Sequence, residues 1–387
     1  MIPPLIRLGA LLASALVLCA ALPLRAAGMS QRVPVQGYQD VYLEEDGSIT
    51  PQALEALSAG VKEEARGERS QIVVLVHGYN TSYTLGRRQY REIARLLREA
   101  AREQGWRPIV VGVHWPSYPG PPLRWLPKML GYRFLSAAGF PNAIPNPYLQ
   151  KVSIAAGTGR LGLRSLLFRL QEDFPHWPLH ALAHSMGSEV VVRALAPHGA
   201  DEEPITQPER ELRLGMVALA GADLDTDAFV PQEPANLAPA LPRADLWWIT
   251  VPRRNSADAA LELRRAAGRR DALGNVGLTL TREQLDRLLS RRGLVIDNRS
   301  VPIGHDLTDY YNGERLRSIA AALQYLDTPP GAADRSGSVL AILDRILRAN
   351  PTRLPDLKHV RGVSARLYIR WRREPERRDY GPVQTSQ

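Results

Sequence analysis

Ser185 stands in the run Ala183-His184-Ser185-Met186-Gly187, which closes an apolar, strand-like segment and opens a helix-like one. A serine in such a place presents its hydroxyl only if the chain turns sharply, and small side chains two residues to either side permit that turn. Gly187 meets the requirement, and Ala183, where glycine is usual, is still small. The helix start directly after the serine favours developing negative charge. A second signal is His77-Gly78-Tyr79-Asn80, at the end of another apolar run. Backbone N–H groups of Tyr79 and Met186 are candidate donors to the oxyanion of a tetrahedral intermediate, and losing one such donor typically costs ~10²–10³ in rate. The alternative for His77-Gly78 is an ordinary strand-ending turn.

A serine hydroxyl is a poor nucleophile at neutral pH, so a histidine must take its proton and a carboxylate must hold the imidazole in the right tautomer. Of eight histidines, His198, His305 and His359 follow the serine. His198 lies too near in sequence to return over Ser185, and His359 lies in a basic tail. His305 follows the last core strand by a short loop and precedes the last helix, which makes it the candidate base. For the acid, Asp258 follows the expected strand over 246–251, while Asp223 and Asp225 follow the one over 212–219. Whichever is not the acid would cap a helix or shape a loop.

These residues need a scaffold. Uninterrupted, β-branched runs at 71–77 and 108–115 read as strands buried on both faces, and 85–103 places Tyr90, Ile93, Leu97 and Ala101 at helical spacing. Thr50-Pro51 opens a helix to about residue 66, after a strand or extended arm at 33–43. Helices at 151–172, 186–195, 281–290 and 313–326, with strands at 179–184, 212–219, 246–251 and 294–297, continue the alternation. Such alternation implies an α/β fold with a mostly parallel sheet and helices on both faces. Together with the serine turn it is an α/β-hydrolase fold, whose chain order is Ser, acid, His and whose ligands sit at the carboxyl ends of the strands.

Two segments break the rhythm. The proline-rich stretch 117–147 carries Trp125, Leu126, Met129, Leu130, Phe134 and Phe140 and reads as a cap-like insertion over the sheet or as a packed surface excursion. After Thr328-Pro-Pro-Gly, residues 329–387 form a basic C-terminal extension with a short helix expected at 339–348 and an edge strand at 365–371. The domain organisation is thus a leader at 1–27, a hydrolase domain at 30–328, and the extension.

The chain resembles a bacterial α/β-hydrolase family of uncharacterised, lipase-like serine enzymes. The resemblance is carried by His77-Gly-Tyr-Asn, Trp115-Pro-Ser, His184-Ser-Met-Gly, Asp223-Leu-Asp225, Asp258-Ala-Ala-Leu261 and Gly304-His305, in that order, over about 72–326. Ala222 stands where that family has proline, and the 117–147 stretch is longer than usual.

The chain has 387 residues, 44% hydrophobic and 23% charged, which excludes a multispanning membrane protein and a disordered chain. Arg7, the apolar run 8–22 and small residues at Ala20, Ala21, Ala26 and Ala27 form a secretory signal; an uncleaved N-terminal anchor is the alternative. The expected location is periplasmic or secreted. Cys19, within the expected leader, is the only cysteine, so a mature chain cut beyond it would hold none, which excludes a disulfide, thiolate metal sites and a cysteine nucleophile. The net charge is +9, and residues 341–387 hold eleven Arg and Lys against five acidic residues. That tail is a solvated surface or a contact for an anionic membrane, and no motif for specific nucleic-acid binding accompanies it.

The expected activity is hydrolysis of carboxylic esters, including lipid or acyl esters, by Ser185, His305 and Asp258 (or Asp223 or Asp225), with no metal or organic cofactor. Acyl transfer and thioester cleavage use the same triad. A non-catalytic, envelope-associated binding protein is the rival from another class.

Overall fold

The computed structural model describes residues 37–64, 70–118, 147–196, 212–231, 236–251, 261, 269–277, 280, 292–299, 305–326, 367–372 and 377–379. The leader at 1–27, nearly all of the 117–147 insertion, His198, Asp258, His359 and the helices expected at 281–290 and 339–348 lie outside the described residues.

A nine-stranded sheet runs in the order β1-β3-β2-β4-β5-β6-β7-β8-β9. Its strands are β1 (Tyr38–Tyr42), β2 (Ser70–Val76), β3 (Arg107–His114), β4 (Leu179–His184), β5 (Leu214–Ala220), β6 (Ala244–Val251), β7 (Arg292–Arg299), β8 (Leu367–Arg372) and β9 (Arg377–Asp379). The pairs from β1 through β7 are all parallel, and β8 and β9 add antiparallel strands at the β7 edge. Parallel strands need crossover connections, and helices lie along most of them: α1 (Pro51–Glu64) between β1 and β2, α2 (Tyr83–Glu103) between β2 and β3, α3 (Pro147–Thr158) and α4 (Arg164–Asp173) between β3 and β4, α5 (Gly187–Leu195) between β4 and β5, and α6 (Leu273–Val276) between β6 and β7, while α7 (Leu307–Tyr310) and α8 (Gly313–Leu326) follow β7.

Successive side chains of a strand point to opposite faces, and both faces of this sheet are covered. Ile72, Val74 and Val76 of β2 join a core with Leu57 of α1, Leu166 and Leu170 of α4 and Val190 of α5. Val73 and Leu75 join a second core with Tyr90, Ile93 and Leu97 of α2 and Leu316, Ile319 and Leu323 of α8. The expected doubly covered parallel sheet is therefore what the chain forms.

Helix α3 begins at Pro147, earlier than the spacing predicts, because proline suits the first helical turn, where its missing N–H has no partner to lose. The helix expected as one piece is interrupted by a π turn at Gly159–Leu163. Contact distances give the reason: a Cβ on Gly159 would lie 2.4 Å from the Val190 carbonyl oxygen, and one on Gly162 would lie 2.3 Å from that of Gly47. The Gly162 N–H donates to the Gly47 carbonyl at 3.0 Å. This wide turn thus lies backbone-to-backbone against α5, the helix that begins just after Ser185.

At the other end of the sheet, His180 is fully buried with Nε2 3.1 Å from the Gln71 side-chain oxygen. Burial pushes its imidazole down to about 3, so it is neutral in the folded protein.

Gly159→Ala is expected to destabilise the fold by about 1–3 kcal/mol, the usual cost of overpacking. Urea unfolding would show this as a lower midpoint at unchanged slope; an unchanged midpoint would mean that α5 is not held by this contact.

Candidate active site

The β2–β4 register pairs Val76 with Ala183, so the carboxyl ends of the two strands lie side by side and the loops that leave them meet. Ser185 sits there with φ of 52°, and Asn80, in the loop after β2, has φ of 58°. Left-handed backbone is costly for residues with a Cβ, and such strain concentrates at functional sites. The turn is pinned by three backbone bonds. Ser185 N–H donates to the Ala220 carbonyl at 2.9 Å, and the Ser185 carbonyl accepts from Ser188 N–H at 3.0 Å and Asp223 N–H at 3.1 Å.

Two glycines make the turn possible. A Cβ on Gly78 would come within 2.8 Å of the Ser185 Cβ, and one on Gly187 within 2.5 Å of the Val76 and His77 carbonyl oxygens. The start of α5 is thereby pressed against the end of β2, which brings the Met186 and Tyr79 peptides to the same corner. First-turn N–H groups of a helix have no intrahelical acceptor, and Met186 is the N-cap of α5.

His305 Nε2 lies 3.0 Å from Ser185 Oγ. The residue after it, Asp306, caps α7 in a capping box with Asp309, which fixes the chain as it leaves the imidazole. The His305 ring packs 4.7 Å from that of His184 and edge-on, at 6.1 Å, to that of Tyr310. His184 is buried; burial first, then the neighbouring imidazoles of His305 and His77, hold it well below the ordinary histidine range. His77 is fully buried and pushed down to about 3 by burial and by His114. Both therefore stay neutral, and half-buried His305 is the imidazole that meets the serine.

The loop after β2 is held by its own bonds. His77 N–H donates to the Tyr90 hydroxyl at 2.7 Å, that hydroxyl donates to the Val113 carbonyl at 2.7 Å, and Trp115 Nε1–H donates to the His77 carbonyl at 2.8 Å. Asn80 N–H donates to the Ser117 carbonyl at 3.2 Å.

The carboxylates part company. Asp223 is buried, and its two oxygens accept from the Tyr148 hydroxyl at 2.8 and 2.9 Å. Asp225 pairs with Arg269 at 3.2 Å and forms an isolated β-bridge with Ala272. Asp258 is not among the described residues. Tyr148 carried no motif in the sequence; Pro147 beside it, as a helix-start signal, is the only pointer to where its helix begins. Tyr311, whose hydroxyl donates to the Ala183 carbonyl at 2.8 Å and the Ala218 carbonyl at 3.1 Å, likewise belongs to no sequence motif. No group of three or more metal-ligating side chains occurs among the described residues.

The sequence profile of a family described as "Alpha/beta hydrolase of unknown function (DUF900)" matches residues 54–264, more than half of the chain. The protein belongs to this α/β-hydrolase family. The matched span holds the His77 loop, the serine turn and all three candidate acids, and ends before His305. Hydrolase activity in the general sense, and the α/β-hydrolase fold read from the sequence, follow from that membership and from the sheet. Among solved structures, TT1662 from Thermus thermophilus is 14% identical with a TM-score of 0.34, over 68% of this chain and 92% of that one. A Trichoderma reesei cutinase in complex with a C11Y4 phosphonate inhibitor is 12% identical with a TM-score of 0.30, over 72% of this chain and 90% of that one. No curated protein matches the sequence.

Because the unfolded chain binds protons on His77, His180 and His184 near pH 6.5 and the folded chain does not, their contribution to stability is complete above that pH and lost as pH falls toward 3. Between pH 7.5 and pH 5 the unfolding free energy should drop by about 2 kcal/mol for each imidazole, with uptake of about three protons on unfolding at pH 5. Urea titrations at the two pH values check this, and a flat profile would show that these rings are protonated in the fold. A second expectation concerns Ser185: Ser185→Gly should be more stable than Ser185→Ala by about 1 kcal/mol, because only glycine takes the left-handed backbone without strain. The reverse order in thermal melts would remove the strain argument.

Proposed function

We propose that the protein hydrolyses carboxylic esters through an acyl-enzyme. Ser185 Oγ attacks the ester carbonyl while His305 Nε2 takes its proton, and the N–H groups of Tyr79 and Met186 receive the oxyanion. His305 then returns the proton to the departing alcohol, and water, deprotonated in turn by His305, releases the acid and restores the serine. The observation that carries this reading is the 3.0 Å contact between His305 Nε2 and a serine held in left-handed backbone at the head of a helix. Asp258 is proposed as the acid that orients His305: it follows β6, whereas Asp223 already accepts from Tyr148 and Asp225 from Arg269.

A lipid or other acyl ester is the proposed substrate, on the strength of the apolar insertion at 117–147, and export through the leader with docking of the basic tail on an anionic surface is the proposed setting. An ester panel of graded acyl length, assayed with and without anionic vesicles, tests both; a preference for short acyl groups indifferent to vesicles would count against them.

A fluorophosphonate probe should label the purified protein at Ser185, located by peptide mass, and Ser185→Ala and His305→Ala should abolish labelling. A folded sample that stays unlabelled would exclude an activated serine. Asp258→Asn should lower kcat by roughly 10⁴ while leaving the fold intact; a wild-type rate would remove Asp258 from the triad.

A further inference from the structure

We infer that Tyr148 is a positioning residue for both halves of the oxyanion hole, acting through the Asp223 carboxylate on one side and the Tyr79 ring on the other. The inference rests on the serine mechanism proposed above.

Tyr148 enters the site from outside the motifs. It is the second residue of α3, the helix that follows the 117–147 insertion, and it is only 5% exposed. Its hydroxyl shares its one proton between both oxygens of Asp223, at 2.8 and 2.9 Å, a three-centre bond to a charged acceptor. The backbone N–H of the same Asp223 donates to the Ser185 carbonyl at 3.1 Å. Fixing Asp223 therefore fixes the peptide on which the serine turn rests, and with it the Met186 N–H that follows. The other contact is apolar: the Tyr148 and Tyr79 rings meet edge to face, centroids 5.8 Å apart at 83°. That holds the residue whose N–H is the second proposed donor. Farther along the same helix, Lys151 Nζ donates to the Pro116 carbonyl at 2.6 Å, so α3 is tied to the loop after β3 as well. One side chain thus braces two loops that are 106 residues apart (79 and 185) and whose donors must converge on a single oxygen. Displacements of about 1 Å in such an arrangement cost about 10²-fold in rate.

Asp223 has a distinct part in this arrangement. Its carboxylate serves as the acceptor of the brace rather than as the partner of His305, which leaves His305 unaltered when the brace is cut.

The test compares Tyr148→Phe, Tyr148→Ala, Asp223→Asn and the Tyr148→Phe/Asp223→Asn double variant with the wild-type protein, on one soluble ester and by the rate of fluorophosphonate labelling. Tyr148→Phe should lower kcat about 10- to 100-fold with KM and the pH–rate midpoint unchanged, and labelling should slow in parallel. Asp223→Asn should lose about as much, and the double variant no more than either single, because the two residues act as one unit. Tyr148→Ala, which loses the ring contact too, should fall roughly tenfold further. Should Tyr148→Ala not fold, Tyr148→Phe, which keeps the ring, decides. A wild-type rate for Tyr148→Phe, or losses that multiply in the double variant, would overturn the inference. So would a loss of roughly 10⁴ in Asp223→Asn with Tyr148→Phe unaffected, which would make Asp223 the partner of His305. Absence of labelling at Ser185 in the wild-type protein would overturn the serine mechanism itself and the inference with it.

Discussion

A methyl group added at Gly78 or Gly187 would stand 2.8 Å from the Ser185 Cβ or 2.5 Å from the Val76 and His77 carbonyl oxygens, closer than real contacts allow. That backbone-to-backbone approach is the constraint around which the site is arranged. It requires β2 and β4 to be immediate neighbours in register, which the Val76–Ala183 pairing provides, and it requires the chain after β4 to turn through left-handed backbone at Ser185. The strain at that residue is offset by the bonds of the turn to Ala220, Ser188 and Asp223, so the end of β5 takes part in holding the serine. Sheet order and serine geometry are in this sense one requirement.

Electrostatics follow from the same packing. Histidines 77, 184 and 305 share one corner, and three protonated imidazoles could not coexist there. Burial resolves the conflict by keeping His77 and His184 neutral, with the His184 ring packed 4.7 Å from that of His305. A buried neutral ring beside His305 supplies shape without a competing charge, and a proton leaving the Ser185 hydroxyl finds the half-buried His305 Nε2 3.0 Å away. The capping box of Asp306 and Asp309 adds a local constraint on the same residue.

Support for the corner comes from the segment joining β3 to β4. There α3 and a π turn run against α5, with Gly159 and Gly162 permitting contact with Val190 and Gly47, and Arg164 at the start of α4 donates to the Ala194 carbonyl of α5 at 2.8 Å. Tyr148, near the start of α3, reaches Asp223 and Tyr79 from this direction. The proline-rich stretch that precedes α3 in sequence is thereby joined covalently to an element packed on α5, the helix that begins just after Ser185.

The alternating apolar runs, the serine turn and the His77-Gly78 loop were legible in the sequence because each depends on contiguous residues. A buried parallel strand must be apolar on both faces, a sharp turn needs small neighbours, and helix starts carry caps. The position of His305 was legible too, since chain order in a doubly covered sheet limits which histidine can return to the strand ends. The carboxylates were a different matter. Asp223 and Asp225 sit two residues apart in one loop, yet one turns to Tyr148, 75 residues earlier, and the other to Arg269, 44 residues later. No local pattern encodes which way each side chain faces, because that is set by helices and loops arriving from elsewhere in the chain. The π turn was hidden for the same reason: its glycines look like weak points in a helix until the carbonyls of Val190 and Gly47 are seen against them. By itself the sequence pointed to the elements, their order and the pairing of Ser185 with His305; the tertiary structure decided which groups surround those two side chains, since packing between distant segments is a property of the assembled sheet and of no segment within it.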